Sequence, residues 1–158
     1  MNDLKQLVVK LGDNTSNCYV CGQANAQGLR IPFVRDGEHG SSASYEARAE
    51  HEGWPGVLHG GITFSLMDES LAWALYFQGI RGVTARAQTQ FKKPIRTGTL
   101  LVIRGWTLER RRQLITARAE VRIAGAEVEL MAELDATMFL LADHAPKMEA
   151  DGVCASTS

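Results

Sequence analysis

Between His59 and Gly79 the chain reads HGGITFSLMDESLAWALYFQG, and from Gly60 to Gln78 its only charges are Asp68 and Glu69. Apolar residues run nearly all the way round at helical spacing, which predicts a helix covered on most sides rather than one lying on a surface. A fold built on such a helix must supply something broad to wrap it. The sequence after Gly79 does so, because there the hydrophobic period changes from that of a helix to two.

In VTARAQTQFKKPI, Val83, Ala85, Ala87, Thr89 and Phe91 face one way and Thr84, Arg86, Gln88 and Gln90 the other, a long half-buried strand broken at Pro94. TLLVIRGWTLERR reads as another strand. QLITARAEVRI sets Ile115, Ala117, Ala119, Val121 and Ile123 against Thr116, Arg118, Glu120 and Arg122, and EVELMAELDATMFLL closes the series. AGAE, between those last two, is short enough for a hairpin. Upstream, GLRIPFVR and SSASYEARA are two more strand candidates. His51 to Gly60 is a Gly/Pro-rich connection, and DNTSNCYVCGQANAQG is a loop. Leu4, Leu7, Val8 and Leu11 predict a short amphipathic helix over 2–12, and the polar tail from about His144 is expected to be disordered. One long helix against one curled antiparallel sheet is the economical α+β solution.

At 158 residues a single domain is expected, spanning the whole chain 1–158. A net charge of −1 gives no basic excess for nucleic acid. With no apolar window of roughly eighteen residues and no leader-like start, no membrane association and a cytoplasmic location are expected. Cys18, Cys21 and Cys154 are an odd set that does not suit a secreted disulfide framework.

By helical spacing Asp68 shares a face with Gly61, Phe64, Leu71, Ala72 and Leu75. A carboxylate in so apolar a stripe must find partners or rise in pKa, and raised carboxylates recur at catalytic positions. The plainer alternative is a hydrogen bond to a neighbouring strand, or an ion pair with an arginine such as Arg86 or Arg118. The start of the helix favours the catalytic reading. Gly60 and Gly61 leave backbone N–H groups at the positive end of the helix dipole, where a ligand oxygen can approach closely. Asp68 lies eight residues beyond Gly60, roughly 12 Å along the axis. One carbonyl cannot touch both, so the acid and the donors of one site belong to different copies, as a two-fold dimer would arrange.

HGGITFSLMDE, preceded by HEGWPGVLHGG and followed by VTARAQTQFKKPIRTG, resembles the hotdog-fold acyl-CoA thioesterases, in the branch of the phenylacetate-pathway and 4-hydroxybenzoyl-CoA thioesterases. The resemblance runs from about Cys18 to Leu140. It implies a long helix wrapped by a curved sheet, an obligate homodimer that is often a dimer of dimers, and an acyl-CoA substrate with no cofactor. It implies that Asp68 is the catalytic base or nucleophile and that the Gly60 N–H polarises the thioester carbonyl from the other protomer. His59 then shapes the turn, Thr84 falls where a hydroxyl helps hold the attacking water, and Glu69 is structural or supports Asp68 from behind.

Gly61 and Phe64 belong to the expected substrate-binding surface. If coenzyme A is the carrier, Lys92, Lys93, Arg86 and the Arg110 cluster are the cations suited to its phosphates. CYVCG offers half a zinc site, but the histidines show no paired ligand spacing, so packing in a tight turn is expected there and no metal. No serine-nucleophile elbow and no phosphate-binding glycine loop is present. The alternative to an enzyme is a hotdog dimer that captures an acyl-CoA without turning it over. A hydratase of the same fold is disfavoured because no histidine follows Asp68 on the helix.

Overall fold

The computed structural model describes residues 15–125 and 129–143; the expected helix over 2–12 and the tail from about 144 lie outside them. Helix α1 spans Gly60–Tyr76 and carries Leu66, Met67, Leu71 and Leu75 fully into the core. Among the described residues eight strands accompany it: β1 (Val34–Asp36), β2 (Gly40–Glu46), β3 (Glu52–Trp54), β4 (Val57–Leu58), β5 (Ile80–Phe91), β6 (Leu100–Arg111), β7 (Leu114–Ile123) and β8 (Leu130–Asp143). Six of them form one antiparallel sheet in the order β1-β2-β6-β7-β8-β5. β3 and β4 make a separate small ribbon within the Gly/Pro-rich connection, which the sequence did not suggest. This is the hotdog arrangement, with the helix lying in the wrap of the sheet.

The alternation read in β7 holds, since Ile115, Ala117, Ala119 and Val121 are buried. β6 crosses the helix at backbone contact. A Cβ on Gly105 would stand 2.4 Å from Ser70 Oγ, so only glycine fits there, and Ser41 Oγ locks the same crossing by donating to Ser70 O at 2.6 Å.

GLRIPFVR behaves differently from expectation. Leu29, Ile31 and Phe33 are buried in alternation, but only Val34–Asp36 joins the sheet. Arg30 takes a positive φ of 55°, which breaks the strand, and the backbone partners of Leu29 and Ile31 are Tyr19 and Val20 in the cysteine-bearing loop. The pattern was real, but its partner is a loop rather than a strand.

β5 also departs from strict alternation. Its pairing with β8 shifts between Thr84 and Arg86, leaving Ala85 as a bulge. Beyond the bulge, Ala87, Thr89 and Phe91 stand opposite Ala136, Leu134 and Ala132, as the period of two required. Before it the faces exchange: Thr84 stands opposite Met138, a core residue, and points to the helix side instead of sharing the face of Arg86, Gln88 and Gln90. Among the described residues β5 pairs only with β8, and its other edge carries no strand over exposed residues 85–88. Among the described residues no helix is long and apolar enough to cross a membrane.

Candidate active site

Asp68 sits half-buried at the middle of α1, on the side nearest β5. Thr84 Oγ1 donates to its Oδ1 at 2.5 Å and also lies 3.4 Å from Met138 Sδ. The Ala85 bulge makes this contact possible, because an unbroken strand would have turned the hydroxyl outward. Neither Arg86 nor Arg118 pairs with either helix acid. Arg118 bonds Glu133 at 2.7 Å on the outer face of the sheet.

At the helix start the two glycines are not equivalent. His59 is the N-cap, and its Nδ1 accepts the Gly61 N–H at 2.8 Å, which places the ring proton on Nε2. The amides of Ile62 and Thr63 turn back to His59 O. The expectation that both glycine amides stand bare is therefore corrected: His59 occupies that of Gly61. Gly60 holds the first helical position, where an amide has no intrahelical acceptor. It faces the outside, with Phe91 as neighbour: a Cβ there would meet the Phe91 ring at 3.5 Å.

A cleft of about 320 Å³ brings Gly60 together with Thr63, Phe91, Lys92 and Lys93. Asp68 and Thr84 do not line it, and Phe64 is half-buried on the helix between the two groups. Lys92 is engaged at 2.7 Å by Glu133, and Lys93 pairs with Glu129. Arg86 lies apart from all of these, in an outer-face cleft with Gln88, Thr116 and Asp135. Arg110 is on β6.

Glu69, half-buried like Asp68, has partners that no feature of the local sequence revealed. The CYVCG turn, closed by a Gly22 N–H bond to Cys18 O, delivers Cys18 Sγ to 3.6 Å from both Glu69 carboxylate oxygens. Burial first, then the nearby Cys18 and Asp68 charges, push Glu69 up to about 7. Cys18 is lowered to about 5, chiefly by a hydrogen bond from Cys21, whose own thiol is pushed up by the same bond and by burial. A second pair also escaped the sequence: Tyr45 OH and His51 Nδ1 lie 2.6 Å apart, with their rings stacked.

Among curated proteins no sequence matches this chain. Solved structures do resemble it. The smu.793 protein of Streptococcus mutans bound to acetyl CoA is 20% identical, with a TM-score of 0.67 over 73% of this chain and 91% of that one. A hypothetical thioesterase of Streptococcus pneumoniae with coenzyme A is also 20% identical, with a TM-score of 0.66 over 73% and 90%. Variants of that protein replace by alanine an aspartate and, sixteen positions later, a threonine. The Escherichia coli PaaI protein from the phenylacetic acid degradation operon is 18% identical, with a TM-score of 0.69 over 89% and 94%. Residues 55–129 match the family described as the thioesterase superfamily. That match takes in α1 and β5 through β7, hence both halves of the candidate site; over this part the chain is similar to the thioesterase superfamily, and it shares the hotdog fold of these structures.

Proposed function

We propose that the protein is an acyl-CoA thioesterase working as a homodimer, hydrolysing a thioester to a free acid and coenzyme A. The observation that carries this reading is the Thr84–Asp68 hydrogen bond. It fixes one carboxylate oxygen from the sheet and leaves the other for water, or for direct attack on a carbonyl. The Gly60 amide, lying at the helix start with the dipole behind it, stabilises the oxyanion. The roughly 12 Å helix rise between them assigns the two groups to two sites.

A two-fold partner reconciles these distances. The bare edge of β5 is a template for antiparallel pairing with a second copy. Such a partner would bring its own helix start toward this chain's Asp68, giving two equal sites at the interface. Phe64 then lines the acyl side, and Lys92 and Lys93, in the Gly60 cleft, meet the coenzyme A phosphates. The coenzyme A held by the streptococcal structures supports that carrier. The aspartate and threonine replaced in one of them share the sixteen-residue spacing of Asp68 and Thr84.

The test is a panel of aryl- and alkanoyl-CoA esters followed by free-thiol release. Turnover that Asp68→Asn abolishes, with fold and oligomer intact, is expected. Tight binding without thiol release, or full activity in that variant, overturns the reading.

A further inference from the structure

Cys18, Cys21 and Glu69 stand outside the chemistry just described. One ligand atom from each lies within 4.8 Å of the other two. The three come from two distant parts of the chain: the cysteines from a tight turn in the loop before β1, the glutamate from the middle of α1. The turn is built for this approach. A Cβ on Gly22 would stand 2.4 Å from Cys18 N, so glycine is needed to fold the thiols onto one side. Cys21 is buried, while Cys18 and Glu69 are half-buried.

Electrostatically the cluster is one-sided. The groups acting on Glu69 are two thiols and the Asp68 carboxylate, all of them acidic. Three acids gathered in a partly buried site call for protons or for a cation. The distances suit the second. A tetrahedral zinc with bonds of about 2.3 Å to sulfur and 2.1 Å to oxygen holds those two atoms about 3.6 Å apart. Cys18 Sγ and both Glu69 oxygens are separated by 3.6 Å.

We infer that Cys18, Cys21 and Glu69 form a binding site for a thiophilic divalent metal ion, which clips the loop before β1 to the central helix. Two thiolates and a carboxylate favour zinc over magnesium or calcium, which take oxygen ligands. Each thiol gives up its proton to solvent on binding, and the half-exposed side at Cys18 leaves room for water as a further ligand. The Cys-x-x-Cys turn, expected to serve packing alone, thus acquires its missing ligand from α1. The inference is independent of the catalytic reading, because neither Asp68 nor Gly60 belongs to the set.

The full-length protein, reduced and stripped with a chelator, is titrated with Co2+. One equivalent per chain is expected to raise a near-ultraviolet thiolate-to-cobalt band, which Zn2+ then bleaches. The band persists in Cys154→Ser and is lost in the Cys18→Ser/Cys21→Ser double variant. Glu69→Gln keeps the band but weakens Co2+ binding by at least about tenfold, the lower end of the loss seen when even an outer-shell partner is removed. A second measurement needs no variant: Zn2+ raises the melting temperature of the stripped wild-type protein and chelator reverses the rise. Absence of a thiolate band on adding Co2+, no melting shift with Zn2+, or equal affinity in Glu69→Gln and wild type overturns the site.

Discussion

Thr84 Oγ1 reaches Asp68 Oδ1 at 2.5 Å only because Ala85 is bulged out of the β5–β8 ladder. In the proposed reaction the hydroxyl acts through the carboxylate, which would make Thr84 a positioning residue. Thr84→Val keeps the shape and removes the donor. Its kcat is expected to fall about ten- to hundredfold with KM little changed. Thr84→Ser should restore most of the rate, and Thr84→Val melting as wild type would separate positioning from folding. An unchanged kcat in Thr84→Val would remove this residue from the mechanism.

As the proposed oxyanion donor, Gly60 allows a sharp experiment. His59 has φ −62° and ψ 132°, the extended conformation that a residue before proline requires, and Gly60 is the first helical position, where proline is favoured. Gly60→Pro therefore deletes one N–H while fitting the helix. The expected outcome is a folded dimer whose kcat drops by about 10²–10³, the cost of one oxyanion-hole donor. His59→Ala, in contrast, removes the cap on Gly61 and costs about 0.5–2 kcal/mol of stability, most of which His59→Asn should recover. Thermal melting and thiol-release kinetics on these three variants distinguish a cap from a donor.

The fold was legible wherever burial set the period. The run 60–78, apolar nearly all round and charged only at Asp68 and Glu69, could only be a wrapped helix, and the β7 alternation named its buried residues correctly. The sequence could not show what depends on three-dimensional meeting. Nothing in VTARAQ marks Ala85 as a bulge, since every residue there is compatible with a regular strand, yet the bulge decides which face Thr84 takes. The Glu69–Cys18 contact joins residues 51 positions apart, so local spacing carried no trace of it. Asp68 and Gly60 lie on the helix, as its spacing placed them. That His59 reserves one glycine amide and leaves the other is a matter of side-chain geometry.

Gly105 offers a test of how closely the sheet grips the helix. An added Cβ would lie 2.4 Å from Ser70 Oγ and 2.9 Å from Ser70 C, so backbone as well as side chain must shift. Gly105→Ala is expected to cost about 1–3 kcal/mol, the usual range for overpacking a filled core. Gly98→Ala tests a different effect, because no atom lies near its Cβ but its φ is +82°. Chemical denaturation that found Gly105→Ala no less stable than wild type would contradict the close crossing.

His51 links stability to pH. Burial, and then the nearby Arg48 charge, hold its pKa below the ordinary 6.5, and its Nδ1 is engaged by Tyr45 OH. Below pH 6.5 the unfolded chain protonates this imidazole first, so it binds more protons than the folded chain and stability falls as pH falls. Above 6.5 both states are neutral and the contribution is complete. His51→Gln is expected to flatten the pH dependence of the denaturation midpoint just below 6.5. Identical slopes in the two proteins would show that His51 does not titrate with unfolding.

Lys92 is expected to meet a coenzyme A phosphate, yet it is already held by Glu133 at 2.7 Å. Arg118 grips the same carboxylate at 2.7 Å, and the two hydrogen bonds hold Glu133 below the usual carboxylate range, so it stays ionised throughout the neutral region. A phosphate approaching Lys92 must therefore compete with an anion. Glu133→Gln releases the lysine, and KM for an acyl-CoA is expected to fall about two- to fivefold, in keeping with the modest strength of an ion pair whose lysine is solvated. Lys92→Gln should move KM the other way with kcat unchanged. Both effects should shrink in high salt, where exposed charges are screened. If KM is indifferent to both substitutions at low salt, the phosphates are held elsewhere, and Lys93 in the same cleft becomes the residue to replace next.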